Sequence, residues 1–94
     1  MDKLLIRHGR VIDPKNGIDG INDILVENGR IAQVAETVDT PRCTRIIGAQ
    51  DRYVIPGLVD PHVHIGGQVE GYYMLARAGV TTCLDMASYP GQMA

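Results

Sequence analysis

Hydrophobic and polar positions divide the chain into two halves of different rhythm. Through the first half, short apolar runs alternate with turn-forming residues. Residues 3–8 are apolar-rich, Gly9 interrupts them, and Arg10-Val11-Ile12 resumes the pattern before Asp13-Pro14-Lys15-Asn16-Gly17, where Pro and Gly are placed as turn formers. The clearest local signal is Asn28-Gly29 between residues 23–27 and 30–35. Asn-Gly supplies the two positive-φ positions of a type I′ turn, so a two-residue hairpin is expected. That register sets Glu27 opposite Arg30 and Val26 opposite Ile31, the apolar pair mattering more than the solvated ion pair. Residues 36–42 read as a loop, and residues 45–47 and 53–55 as two further strands. Residues 1–54 are thus expected to be all-β.

The rhythm then changes. Residues 58–65 form an apolar strand with polar side chains at every second position. Gly66-Gly67 ends it, and Val69, Tyr72, Leu75 or Ala76 recur at helical spacing toward Gly79, which suits one buried helix face followed by a left-handed glycine. Residues 80–86 are a second β-branched strand. Strand, helix, strand predicts a βαβ unit with its two strands parallel. A parallel sheet is covered on both faces, which one helix cannot achieve. The expectation is a chain that stops partway through a larger fold.

Composition narrows the partners. Of the 94 residues, 45% are hydrophobic and 21% charged, an ordinary globular balance. The net charge of −2 lacks a basic block, and the four aromatics are all Tyr, so a nucleic-acid partner is not expected. No apolar run approaches the roughly 20 residues of a membrane helix, and the start lacks a signal-peptide pattern, so no membrane is expected and the location reads as cytoplasmic. Cys43 and Cys83 lie in strand-like surroundings without a Cys-x-x-Cys pair, which favours reduced, buried thiols.

Candidate chemistry sits on the strand of residues 58–65. Alternation sends Asp60, His62 and His64 to one face and Val59, Pro61, Val63 and Ile65 to the other. Two imidazoles so placed could hold one divalent ion; imidazole suits Zn²⁺, Fe²⁺, Mn²⁺ or Ni²⁺, so the spacing does not choose the metal. Asp60 could orient an imidazole through a hydrogen bond. The bland alternative is a pair of polar residues at a strand end. Placement on the first strand of an α/β unit favours the metal, because barrels of this type build active sites at the carboxyl ends of their strands.

Ile55-Pro56-Gly57-Leu58-Val59-Asp60-Pro61-His62-Val63-His64 resembles the metal-binding signature of the amidohydrolase superfamily, Pro-Gly-aliphatic-aliphatic-Asp-x-His-x-His. Residues 5–14 are similar to that family's N-terminal strand pair. Residues 76–82 are similar to its first barrel helix running into strand two. The resemblance covers essentially the whole chain. It implies a (β/α)₈ TIM barrel with a small β-sandwich, residues 1–54 contributing sandwich strands and residues 55–94 the first strand, helix and strand of the barrel. His62 and His64 would then be metal ligands, in a site of one or two metals, and the implied chemistry is metal-activated water attacking an amide or cyclic amide C–N carbonyl of a small-molecule substrate. The other ligands expected of the family, and the aspartate that handles the proton, have no counterpart here. A whole barrel takes roughly 250 residues, so the chain alone is expected to be inactive and, with its barrel strands uncovered, to self-associate.

Within the superfamily, dihydroorotases carry a substrate-binding arginine two places after the second histidine. Gly66 stands there, a departure that points away from dihydroorotases and toward members acting on acyl-amino acids, dipeptides or deaminated bases. Glu70 could bind a substrate amine, or simply complement the helix dipole. Asp85 and Ser88, near the end of the second strand, could reach substrate or hold a loop. His8 reads as a surface or turn residue, and Tyr72 and Tyr73 as core packing. The alternative to an enzyme is a non-catalytic structural or interaction module derived from the same fold, against which the paired imidazoles speak.

Overall fold

The computed structural model describes residues 2–39, 42, 44–66 and 68–86. The chain divides into two compact units, Met1–Pro56 and a second beginning at Gly57. Seven strands and one α-helix make up the described residues: β1 (Lys3–Asp13), β2 (Ile18–Glu27), β3 (Arg30–Ala35), β4 (Arg45–Gly48), β5 (Tyr53–Val54), β6 (Leu58–Val63), α1 (Val69–Arg77) and β7 (Val80–Asp85). The fold is mostly β, with one βαβ unit at the end.

In the first unit β1 is the axis of a mixed sheet ordered β3-β2-β1-β4. β2 runs antiparallel to it, while β4 and then β5 pair parallel to successive stretches of it. A single 3₁₀ turn, Pro14–Asn16, links β1 to β2, ending at Gly17 with φ 67°. The β2–β3 hairpin turns on Asn28 (φ 52°) and Gly29 (φ 74°), the double positive φ of a type I′ turn. Its register is the expected one, Val26↔Ile31 and Glu27↔Arg30. The carboxylate of Glu27 meets Lys3 of β1 at 3.6 Å, the charge pair falling on the other neighbour in the sheet. Ile31 is exposed, so the apolar cross-strand pair lies on an open face.

β1 is longer than the interruption at Gly9 implied. It passes straight through, with a bulge: Ile6 pairs with Ile24 and Gly9 with Asn22, so Arg7 and His8 together face Asp23. His8 does not end the strand but occupies the bulge with φ 60°. A bulge leaves one amide without a ladder partner, and here the buried carboxylate opposite supplies it. Asp23 Oδ1 accepts the His8 N–H at 2.9 Å, and Oδ2 accepts the Val38 N–H at 3.1 Å. Asp23 is wholly inaccessible, beside a core of Leu5, Leu25 and Val38 with Ala35 packed against it. One carboxylate therefore ties the bulge of β1 and the loop after β3 to the middle of the sheet. Burial would push its pKa up, but the two amides, with the nearby His8 ring and Arg7 guanidinium, outweigh that and hold it below the ordinary carboxylate value.

In the second unit β6 and β7 lie parallel, as the strand–helix–strand pattern predicts. Gly79, with φ 88°, turns the chain from α1 into β7. The helix face expected to be buried is not: α1 has no buried residue, and Tyr72 and Tyr73 are exposed rather than packed in a core. Two strands offer one helix too little sheet to cover its apolar stripe. Tyr72, Leu75 and Ala76 instead line one side of an open groove, with Val80, Thr81 and Cys83 on the other. Cys83 is a free, half-buried thiol. Cys43 and Ser88 lie outside the described residues.

Candidate metal centre

Two irregularities shape the strand that carries the histidines. At its start Leu58 pairs with Val80 but Val59 pairs with Thr82, so Thr81 is an extra residue on β7. Its side chain lies against the Cα of Gly57, in space that any Cβ there would occupy. This gives the glycine of the Pro-Gly pair a packing reason. Further on, Asp60 pairs with Cys83 and Val63 with Asp85, so Pro61 and His62 together face Leu84. The bulge suits its sequence. Pro61 has no N–H to leave unpaired, and the freed His62 N–H donates to Asp60 Oδ1 at 3.1 Å.

Past the bulge the two imidazoles meet. Nε2 of His62 and Nε2 of His64 stand 3.0 Å apart, with ring centroids separated by 4.9 Å and ring planes tilted by 60°. Both side chains are exposed. Two imidazole nitrogens on one tetrahedral zinc are about 3.4 Å apart. The pair stands in direct hydrogen-bond contact, somewhat closer than that, so the two Nε2 atoms lie near the spacing of adjacent ligands on one divalent ion. Among the described residues no group of three or more His, Cys, Asp or Glu side chains converges as a metal site.

The other residues singled out by sequence are placed differently. Asp60 directs its carboxylate to the His62 backbone amide rather than to a ring, because the bulge puts that donor within reach. Asp85 closes β7 and accepts two amides of the loop after His64, Ile65 N–H at 3.3 Å and Gly66 N–H at 3.1 Å. Glu70 is exposed in the first turn of α1, where a negative charge complements the helix N-terminus. Sequence reasoning did not single out Asp23. Its signal was a charge two residues before Leu25 in an apolar run, on the same strand face by alternation.

Comparison with known proteins gives the class. No family model matches the chain. Curated relatives include the dihydroorotase of Anaeromyxobacter dehalogenans (strain 2CP-C), 48% identical over 64 residues, covering 68% of this chain and 15% of that protein. The dihydroorotase of Streptococcus thermophilus is 40% identical over 93 residues, covering 90% of this chain and 22% of that protein. Among solved structures, D-hydantoinase (dihydropyrimidinase) from Thermus sp. superposes with a TM-score of 0.76 at 29% identity, covering 87% of this chain and 20% of that one. Dihydropyrimidinase from Brevibacillus agri superposes with a TM-score of 0.77 at 25% identity, covering 88% and 20%.

The chain belongs to the amidohydrolase superfamily and corresponds to an N-terminal segment of it. It spans about a fifth or less of the relatives it matches. The dihydroorotase names run against the narrowing drawn from Gly66.

Proposed function

We propose that this chain is the metal-anchoring N-terminal portion of a hydrolase that cleaves the C–N bond of an amide or cyclic amide in a small molecule. The observation that carries the reading is the meeting of His62 and His64 at 3.0 Å on a bulged strand. Its setting in a chain similar to dihydroorotases and hydantoinases supports it. In this reading residues 1–54 belong to the small β-sandwich and residues 55–94 open the barrel.

His62 and His64 would hold a divalent ion, zinc being the first choice for imidazole in a site of mixed donors. When bound, such an ion polarises a carbonyl and lowers the pKa of water. The chain's own residues present the two Nε2 atoms on a short, bulged segment whose backbone amides are taken up by Asp60 and Asp85. Glu70, exposed at the start of α1, is offered as a group for a substrate amine.

The test is metal analysis and hydrolysis of a cyclic amide by the complete protein and its His62→Ala and His64→Ala variants. Each single variant is expected to lose bound zinc and to lower activity at least about a hundred-fold, more than loss of an outer hydrogen-bond partner costs. Unchanged zinc content in both variants would sink the metal reading. Intact metal with no hydrolysis of any amide would favour the structural module.

A further inference from the structure

We propose that Asp85 is a positioning residue for His64, acting through the backbone rather than touching substrate. The inference rests on the reading of His62 and His64 as metal ligands. β6 ends at Val63, so His64 lies one residue beyond the last strand position. The sheet still holds its upstream neighbour, because Met86 N–H donates to the Val63 carbonyl at 2.8 Å and Val63 pairs with Asp85. Downstream, the next two amides of the chain, Ile65 and Gly66, converge on one carboxylate, Asp85 Oδ1 at 3.3 Å and Oδ2 at 3.1 Å.

His64 is thus bracketed, by a backbone bond before it and a two-oxygen clamp after it, from Met86 and Asp85 at the end of β7. Gly66 adopts φ 63°, a left-handed conformation that glycine accepts without strain and that belongs to this turn of chain. Bonds from amides to an ionised carboxylate are stronger than those to a neutral acceptor, which suits a clamp on a segment outside the sheet. Asp60 performs the matching task on the other ligand, accepting the His62 amide. The two imidazoles are therefore aimed by two carboxylates that reach the backbone on either side of them. A ligand pair held in this way keeps its nitrogens converged before any ion arrives.

The experiment uses the complete protein loaded with Zn²⁺ or, for spectroscopy, Co²⁺. Asp85→Asn keeps the shape but turns an amide NH₂ toward one of the two backbone donors. It is expected to weaken metal affinity about 10- to 100-fold and to change the visible spectrum of bound Co²⁺, while KM at saturating metal stays as in the unaltered protein. Asp85→Glu, which retains both acceptor oxygens, should recover part of the affinity. Unchanged affinity and Co²⁺ spectrum in Asp85→Asn, with a raised KM, would overturn the proposal and make Asp85 a substrate-binding group.

His62→Ala and His64→Ala run in parallel separate the two failures. If they abolish metal binding and Asp85→Asn does not affect it, only the positioning role fails; if they leave metal bound, the reading beneath it fails. Should Asp85→Asn not fold, hydrogen exchange on the unaltered protein decides. Slow exchange at the Ile65 and Gly66 amides supports the clamp, and exchange at the rate of an unprotected loop overturns it.

Discussion

Both units contain a bulged strand whose freed amide is taken by an aspartate, and they differ in what surrounds that device. In the first unit Asp23 reaches across from β2 to the His8 amide and is sealed beside Leu5, Leu25 and Val38. In the second, Asp60 reaches along its own strand to the His62 amide, and the imidazoles beyond it stand exposed. Val63 is the one buried apolar residue of the second unit among the described residues. The same backbone irregularity therefore serves as a rivet where a core covers it and, in the proposed reading, as a mount for the two imidazoles where none does. Bulges are found beside active sites for the second reason, because they re-aim side chains that a regular strand would send elsewhere.

The largest expected effect concerns the uncovered unit. Val59, Val69, Tyr73, Met74 and Leu84 are all more than half exposed on a two-stranded sheet and its helix. Apolar surface of this kind drives association, so the 94-residue chain is expected to sediment as a self-associated species at high concentration. Val59→Glu with Leu84→Glu should shift it toward monomer. A clean monomer for the unaltered chain would break the contrast between a unit with its own core and one without.

Next in size are truncations within the two units. Leu5→Ala is expected to cost about 2–5 kcal/mol, the range for deleting a buried leucine side chain. Val59→Ala, two-thirds exposed, should change stability by no more than about 0.5 kcal/mol. Urea denaturation of the two variants measures the difference. Equal costs would show that β6 is packed as tightly as β1.

Asp23 sharpens the comparison further. Asp23→Asn leaves an NH₂ against one of two buried amides, at an expected cost of about 1–3 kcal/mol at neutral pH. Because its folded pKa is lowered, the carboxylate's contribution is complete above the unfolded value, near 4, and fades as pH falls through the folded value. The gap between the unaltered chain and Asp23→Asn should hold steady from neutral pH down to about pH 5 and narrow in more acid solution. A gap that widened on acidification would mean the pKa is raised in the folded state.

How much of this was legible in the sequence follows from range. The hairpin register, the parallel β6–β7 pair and the turn at Gly79 depend on neighbours within a few residues or on simple periodicity, and the structure has them as expected. The His62–His64 pair was readable because alternation and a dense signature agree. The bulges were not readable. A bulge is a difference in count between two strands, and a single strand's pattern does not contain its partner's register. That is why Gly9 reads as an interruption although β1 runs through it, and why the pattern places Asp60 on an imidazole rather than on the His62 amide. The helix face failed for another reason: periodicity marks which side of α1 is apolar, while burial depends on how much structure lies opposite.

The smallest effect tests whether the first unit's order rests on its turn as well as its core. Gly29 has φ 74°, and a Cβ built there meets nothing within 4 Å. Gly29→Ala therefore isolates the backbone cost of a left-handed residue, about 1–2 kcal/mol for an L side chain, with no packing contribution. Gly57 is the opposite case in the second unit, a position where Cβ would overlap the Thr81 side chain. Gly57→Ala forces Thr81, the extra residue of β7, to move. Thermal denaturation of Gly29→Ala should show a modest lowering with the β2–β3 cross-strand contacts intact by nuclear Overhauser spectroscopy. Loss of the Val26↔Ile31 pairing in that variant would show instead that the register hangs on the turn, and that the leucine core beside Asp23 does not by itself hold β3 in place.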